Sequence, residues 1–150
     1  MLFRSFTNQD GQVFQSNSMH GHVWLVNFFF TSCHGPCPLM TSQVASLLTK
    51  HSKLHALSLT TDPETDTVPV LKAYADKYKA DPTRWAIVRG DEKTLQHFGQ
   101  DVLKLPVGEA PDAHSARIVL IDSQGQIRGW YDSQDPKIVS RISSDLGTLR

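Results

Sequence analysis

Val23-Trp24-Leu25-Val26-Asn27-Phe28-Phe29-Phe30 is an almost unbroken apolar, β-prone run. A run without polar alternation predicts a strand covered on both faces, in the middle of a sheet. Apolar positions then change period. Met40, Val44, Leu47 and Leu48 recur at helical spacing, as do Leu71, Tyr74, Ala75 and Tyr78, and later Ile138, Ile142 and Leu146. Between these helices, Leu54 to Leu59 and Trp85 to Val88 predict further strands, and Asp91 to Phe98 a short helix ending near Gly99. Arg117 to Ile121 and Gln126 to Tyr131 flank Asp122-Ser123-Gln124-Gly125, the pattern of an antiparallel hairpin. Phe3 to Phe14, with Asp10-Gly11 between apolar flanks, predicts another hairpin at the N-terminus. Gln100 to Ala113 carries Pro106, Gly108 and Pro111 and predicts a long loop, a kind of segment that often carries function.

Hairpin, then β-α-β-α-β-α, then β-β-α implies an α/β fold with helices on both faces of the sheet. The terminal hairpin makes the sheet mixed. This is the thioredoxin-like arrangement: a mixed central sheet flanked by helices, here with an N-terminal β-hairpin. The 150 residues are the usual size of one domain, so residues 1–150 are expected to form a single unit.

Charge narrows the function classes. Fifteen Lys and Arg balance fifteen Asp and Glu, so no extended basic surface for nucleic acid is expected. No apolar stretch approaches the length of a membrane span. The first residues do not read as a signal or transit peptide. That leaves open a cytosolic protein or one whose N-terminal anchor lies outside these 150 residues.

The chain has two cysteines, four positions apart. Closing so short a loop stabilises a fold only modestly, so a pair like this points to chemistry rather than to a structural framework. Cys33 and Cys37 follow the buried strand and lie in Thr31-Ser32-Cys33-His34-Gly35-Pro36-Cys37-Pro38, a segment suited to a helix entry. Positions i and i+4 share a helix face, so the two thiols can bind one metal ion or close a disulfide. A helix N-terminus favours the thiolate, and thiolates select soft ions such as Cu(I) or Zn(II). Further ligands would come from His20, His22, His34, His51, His55, His97 or His114, most of which are expected at the surface. His114 ends the long loop and precedes a strand, where a thioredoxin-like fold brings the chain near the helix-start cysteines.

These segments together resemble the Sco/SenC family of copper-binding proteins. The resemblance rests on Gly21, on Trp24 through Thr31, on Cys33-His34-Gly35-Pro36-Cys37-Pro38-Leu39-Met40-Thr41, on Thr61-Asp62-Pro63-Glu64-Thr65-Asp66-Thr67 and on Leu71-Lys72-Ala73-Tyr74. Later come His114-Ser115, Val119-Leu120-Ile121-Asp122 and Gly125 to Gly129. It implies copper, as Cu(I), Cu(II) or both, held by Cys33, Cys37 and His114. It also implies a role as a metallochaperone in assembling the copper centre of cytochrome c oxidase. The partners would be an oxidase subunit or another copper protein, and a thioredoxin-like reductant. The expected location is the periplasm, membrane-anchored in the full-length protein, or the mitochondrial intermembrane space. Residues 34–36 depart from the family, whose members usually carry bulkier or acidic residues there. His34 is expected to be a solvated loop residue. Asp66 is expected to cap the following helix. Asp62 fits either loop structure or support of the metal site.

A rival reading is a thiol–disulfide oxidoreductase in which Cys33 attacks and Cys37 resolves. A copper-responsive binding module without a delivery role is a third. The usual context of a peroxidatic cysteine is not evident. The resemblance favours a metal handler over an enzyme.

Overall fold

The computed structural model describes residues 5–32, 37–104 and 117–149. β1 (Ser5–Thr7) and β2 (Val13–Gln15) pair antiparallel as the expected N-terminal hairpin. A 3-10 turn at Ser16–Met19 leads into β3 (Trp24–Phe29), followed by α1 (Cys37–Lys50) and β4 (His55–Thr60). Then come α2 (Val68–Lys77), β5 (Trp85–Val88) and α3 (Glu92–His97). β6 (Arg117–Ile121), β7 (Ile127–Asp132) and α4 (Ile138–Leu146) close the order. The five-stranded sheet runs β5-β4-β3-β6-β7. β3, β4 and β5 are parallel, and β6 and β7 are antiparallel, so the sheet is mixed as expected for a thioredoxin-like fold.

All six residues of β3 are buried. Successive side chains of a strand point to opposite faces, and here each face has its own core. Leu25 and Phe29 join Met40, Val44 and Leu47 of α1, Leu71 and Ala75 of α2, and Ile138 and Ile142 of α4. Trp24, Val26 and Phe28 join Phe6 of the hairpin, Met19 and, beyond α3, Phe98 and Leu103. The unbroken apolar run of β3 is thus two alternating half-runs, each feeding one core.

Polar groups inside the sheet are linked to one another. The Trp85 indole donates to Ser58 Oγ at 3.0 Å, and that hydroxyl donates to Asn27 Oδ1 at 2.7 Å, crossing β5, β4 and β3. Edge strand β5 is closed by the hairpin. Gln9 Nε2 donates to the Trp85 carbonyl at 2.8 Å, and the Ile87 amide donates to Gln9 Oε1 at 3.0 Å. One side chain therefore replaces a missing strand neighbour, which blunts an open sheet edge. The β6–β7 turn follows its sequence. Asp122 Oδ1 accepts the Gln124 and Gln126 amides, each at 2.9 Å, and Gly125 takes the positive φ of +82° that the turn requires.

The helix after β5 does not end at Gly99. Phe98–Val102 continues as a wide π-helical turn, with the Leu103 amide donating to the Phe98 carbonyl at 3.1 Å. The wider turn lets Phe98 and Leu103, five residues apart, both reach the same core. Gln100–Val102 thus belong to this turn, and the expected loop begins later. Its residues 105–113 lie outside the described residues.

Gln9→Ala would leave the buried Trp85 carbonyl and Ile87 amide without partners. The expected loss is about 1–3 kcal/mol. It should appear as a lower urea midpoint with an unchanged slope.

Candidate metal centre

The segment that carries the cysteines leaves the carboxyl end of β3. Ligand sites in parallel α/β sheets gather at this end. Phe29 closes the strand, Thr31 follows, and α1 starts at Cys37 with Pro38 in its first turn, where a missing N–H costs nothing. The first turn of α1 carries no acidic residue, so the positive end of the helix faces whatever anion lies there. Met40 and Thr41, three and four positions after Cys37, are buried. Thr41 Oγ1 and Tyr74 Oη share a hydrogen bond of 2.8 Å, and the Tyr74 ring stacks on Phe29 with centroids 4.9 Å apart. α1, α2 and the end of β3 are thereby locked together one turn beyond Cys37.

Asp66 is the main finding at this rim. It is fully buried. Its carboxyl group accepts the Thr31 amide at 3.1 Å and both the Thr31 and Thr60 hydroxyls. Burying a carboxyl group is costly unless donors surround it, and these three make the placement tolerable. The group joins the ends of β3 and β4 to the 61–67 loop, two residues before Cys33. Arg89 holds the same loop from the β5 side, donating from Nε to the Asp66 carbonyl at 3.1 Å and from Nη2 to the Pro63 carbonyl at 2.8 Å.

This corrects the expected helix cap. The N-cap of α2 is Thr67, without a side-chain capping bond, because the Asp66 carboxyl turns inward to Thr31 and Thr60. Asp62 serves loop structure through its backbone. Its amide donates to Thr60 Oγ1 at 3.1 Å, and its carbonyl accepts the amides of Thr65 and Asp66. Thr60 and Arg89 carry no periodicity or motif in the sequence, and Thr31, although inside the family-like segment, has nothing there to mark it as a partner of Asp66.

Cys33, His34, Gly35, Pro36 and His114 lie outside the described residues, and for Cys37 only the backbone position is described. Leu103, near the start of the segment leading to His114, is tethered, its carbonyl accepting the Trp130 indole N–H at 3.0 Å. Among the described residues no group of three or more His, Cys, Asp and Glu could hold a metal.

Two of the other histidines are less exposed than expected. His51 shares a 2.9 Å hydrogen bond with Ser143 Oγ of α4. His55, half-buried at the start of β4, lies between His22 and Trp24, with ring centroids 4.2 and 5.0 Å away. Burial, then the neighbouring His22 and Arg84, lower the His55 pKa.

The sequence matches the SCO1/SenC family over residues 3–146. It is 30% identical over 152 residues to the SCO1 protein homolog of Bacillus subtilis, spanning 95% of this chain and 78% of that protein. The fold superposes on BsSco, described as having a disulfide switch and as a member of the Sco family of cytochrome c oxidase assembly proteins. There the TM-score is 0.86 at 27% identity, covering 99% of this chain and 91% of that one. It also superposes on Bradyrhizobium japonicum ScoI, solved with copper bound, with TM-score 0.75 over 99% of this chain and 98% of that one. At 22% identity this is a likeness of fold.

Two outcomes follow. Asp66→Asn keeps the shape but turns one acceptor into a donor, facing either the Thr31 amide and Thr60 hydroxyl or the Thr31 hydroxyl. Stability should fall by about 1–3 kcal/mol, and the Thr31 amide should lose protection in hydrogen exchange. For His55, a folded pKa below the unfolded value means the unfolded chain binds the proton more readily. Its contribution is therefore present above about pH 6.5 and lost as pH falls through the folded pKa. Chemical denaturation from pH 7.5 to 5 should show this decline, and His55→Gln should reduce it.

Proposed function

Because the chain belongs to the SCO1/SenC family, we propose that it binds copper through Cys33, Cys37 and His114. It would hand the metal to the copper centre of cytochrome c oxidase or to another copper protein. The observation that supports this most is a helix beginning at Cys37 just beyond a strand end clamped by Asp66. Fixing the chain on either side of the thiol pair would lower the ordering entropy that metal binding has to overcome. Two thiolates and one imidazole make a soft, near-trigonal donor set suited to Cu(I), and Cu(II) would add an oxygen ligand. Release would proceed by thiolate exchange onto a partner offering more or better ligands. The resemblance to the family points to an extracytoplasmic location with an anchor outside these 150 residues. Among the described residues no helix is long and apolar enough to cross a membrane.

A second reading is favoured by the disulfide switch described for BsSco. In it, Cys33 thiolate attacks a partner disulfide to form a mixed disulfide, and Cys37 displaces the partner. The partner leaves as a dithiol, Cys33 and Cys37 become a disulfide, and an external dithiol, such as a thioredoxin-like reductant, restores them.

Copper titration of the reduced chain, followed by thiolate-to-copper absorption, should reach one copper per chain. Cys33→Ser or Cys37→Ser should abolish that absorption, and His114→Ala should weaken binding at least about tenfold. Unchanged affinity in His114→Ala would remove the three-ligand site. Disulfide turnover without copper retention would favour the second reading.

A further inference from the structure

The amino ends of β3 and β4 carry a cluster that the proposed copper centre does not use. His22 precedes β3 by one residue past Val23, and His55 opens β4. Their ring centroids are 4.2 Å apart, with the planes inclined by 38°. Two nitrogen ligands of one transition metal can be separated by at most about 4 Å, given metal–nitrogen bonds of about 2.0–2.1 Å. Rings this close leave rotation about the side-chain bonds as the only movement needed to bring one nitrogen of each onto a common ion.

The backbone under both rings is held from several sides. Gly21, at φ +92°, donates its amide to the Ser123 carbonyl at 2.8 Å, tying the approach to His22 to the β6–β7 turn. The His22 amide donates to the Met19 carbonyl at 3.3 Å, and the His55 amide to the Val23 carbonyl at 3.0 Å. Arg84 spans the chain ahead of His55, donating to the carbonyls of Leu48, His51 and Leu54. Trp24 backs the His55 ring, and Phe14 meets Trp24 edge-on. Among the described residues, neither imidazole is tied by a hydrogen bond, in contrast to His51. A lone pair on each ring is therefore uncommitted.

We propose that His22 and His55 form a second, two-imidazole site for a divalent transition-metal ion, at the end of the sheet opposite the cysteine pair. β3 has six residues, which at about 3.3 Å each sets the two ends roughly 16–20 Å apart. Imidazole nitrogen suits borderline ions, and Cu(II) binds such donors more tightly than Ni(II) or Zn(II). Among the described residues no third His, Cys, Asp or Glu completes the set, so water would fill the remaining positions. Such a site is open and exchangeable, unlike a closed structural one.

The test uses the whole chain carrying Cys33→Ser and Cys37→Ser, so that no thiolate competes. Zn(II) is titrated while histidine ring signals are followed by NMR, and Cu(II) while nitrogen coupling is read by electron paramagnetic resonance. The expected result is one ion per chain, with the His22 and His55 signals moving before those of His20, His34, His51, His97 and His114. His22→Gln, at an exposed position, should weaken binding at least about tenfold, while His51→Gln leaves it unchanged. His55→Gln should weaken binding likewise, and where lost packing on Trp24 alters its circular dichroism, His22→Gln decides. Equal movement of all histidines, first movement of His114, or unchanged affinity in His22→Gln would overturn the proposal. Thiolate-to-copper absorption in His22→Gln with both cysteines intact reads the other centre separately, so the two sites fail or stand independently.

Discussion

Burial of β3 on both faces is the constraint on which the rest of the structure depends. A strand covered on one side needs one packing partner, but this one needs two. Leu25 and Phe29 require α1, α2 and α4 on one face, while Trp24, Val26 and Phe28 require the hairpin and the π-turned segment after α3 on the other. With parallel β4 on one side and antiparallel β6 on the other, the strand has no free edge either. Its position is over-determined, and its carboxyl end gives the cysteine-bearing segment a fixed starting point.

Asp66 carries that rigidity across the gap between strand and loop. It spends a buried carboxyl group on joining Thr31, Thr60 and the 61–67 loop, while Arg89 braces the same loop by its carbonyls. Polar groups inside a protein are tolerated when fully satisfied and then enforce one arrangement. Here the enforced arrangement lies two residues before Cys33. A rigid approach to a thiol pair matters equally for metal exchange and for disulfide chemistry, which explains why both readings share this feature.

The same sheet geometry separates the His22–His55 pair from the Asp66 cluster. Parallel pairing places the starts of β3 and β4 side by side, in the register Trp24 opposite His55. That register, not proximity in sequence, brings His22 and His55 into ring contact across 33 positions. The ends of the same strands bring Thr31 to Asp66, across a similar span. One parallel strand pair thus builds a polar cluster at each of its ends.

Much of this was legible in the chain. Apolar run length and the switch from strand to helix period located the strands and α-helices of the described residues to within a few positions, because backbone pattern follows from local side-chain burial. The cysteine spacing and the segments around it pointed to the family for the same reason: they are contiguous in sequence. The π-helical turn after α3 was not legible, because the wide turn answers to where Phe98 and Leu103 must meet the core. Nor was the role of Asp66, which reads locally as a helix cap and is turned inward by donors about 35 and 6 residues away. Local pattern alone specified the order of elements and the mixed α/β sheet, since apolar period is a short-range property. Only the tertiary structure decided which polar groups share a proton, which rings touch and which strand edge Gln9 covers, because hydrogen bonds and ring contacts between distant residues depend on register and packing that no local pattern records.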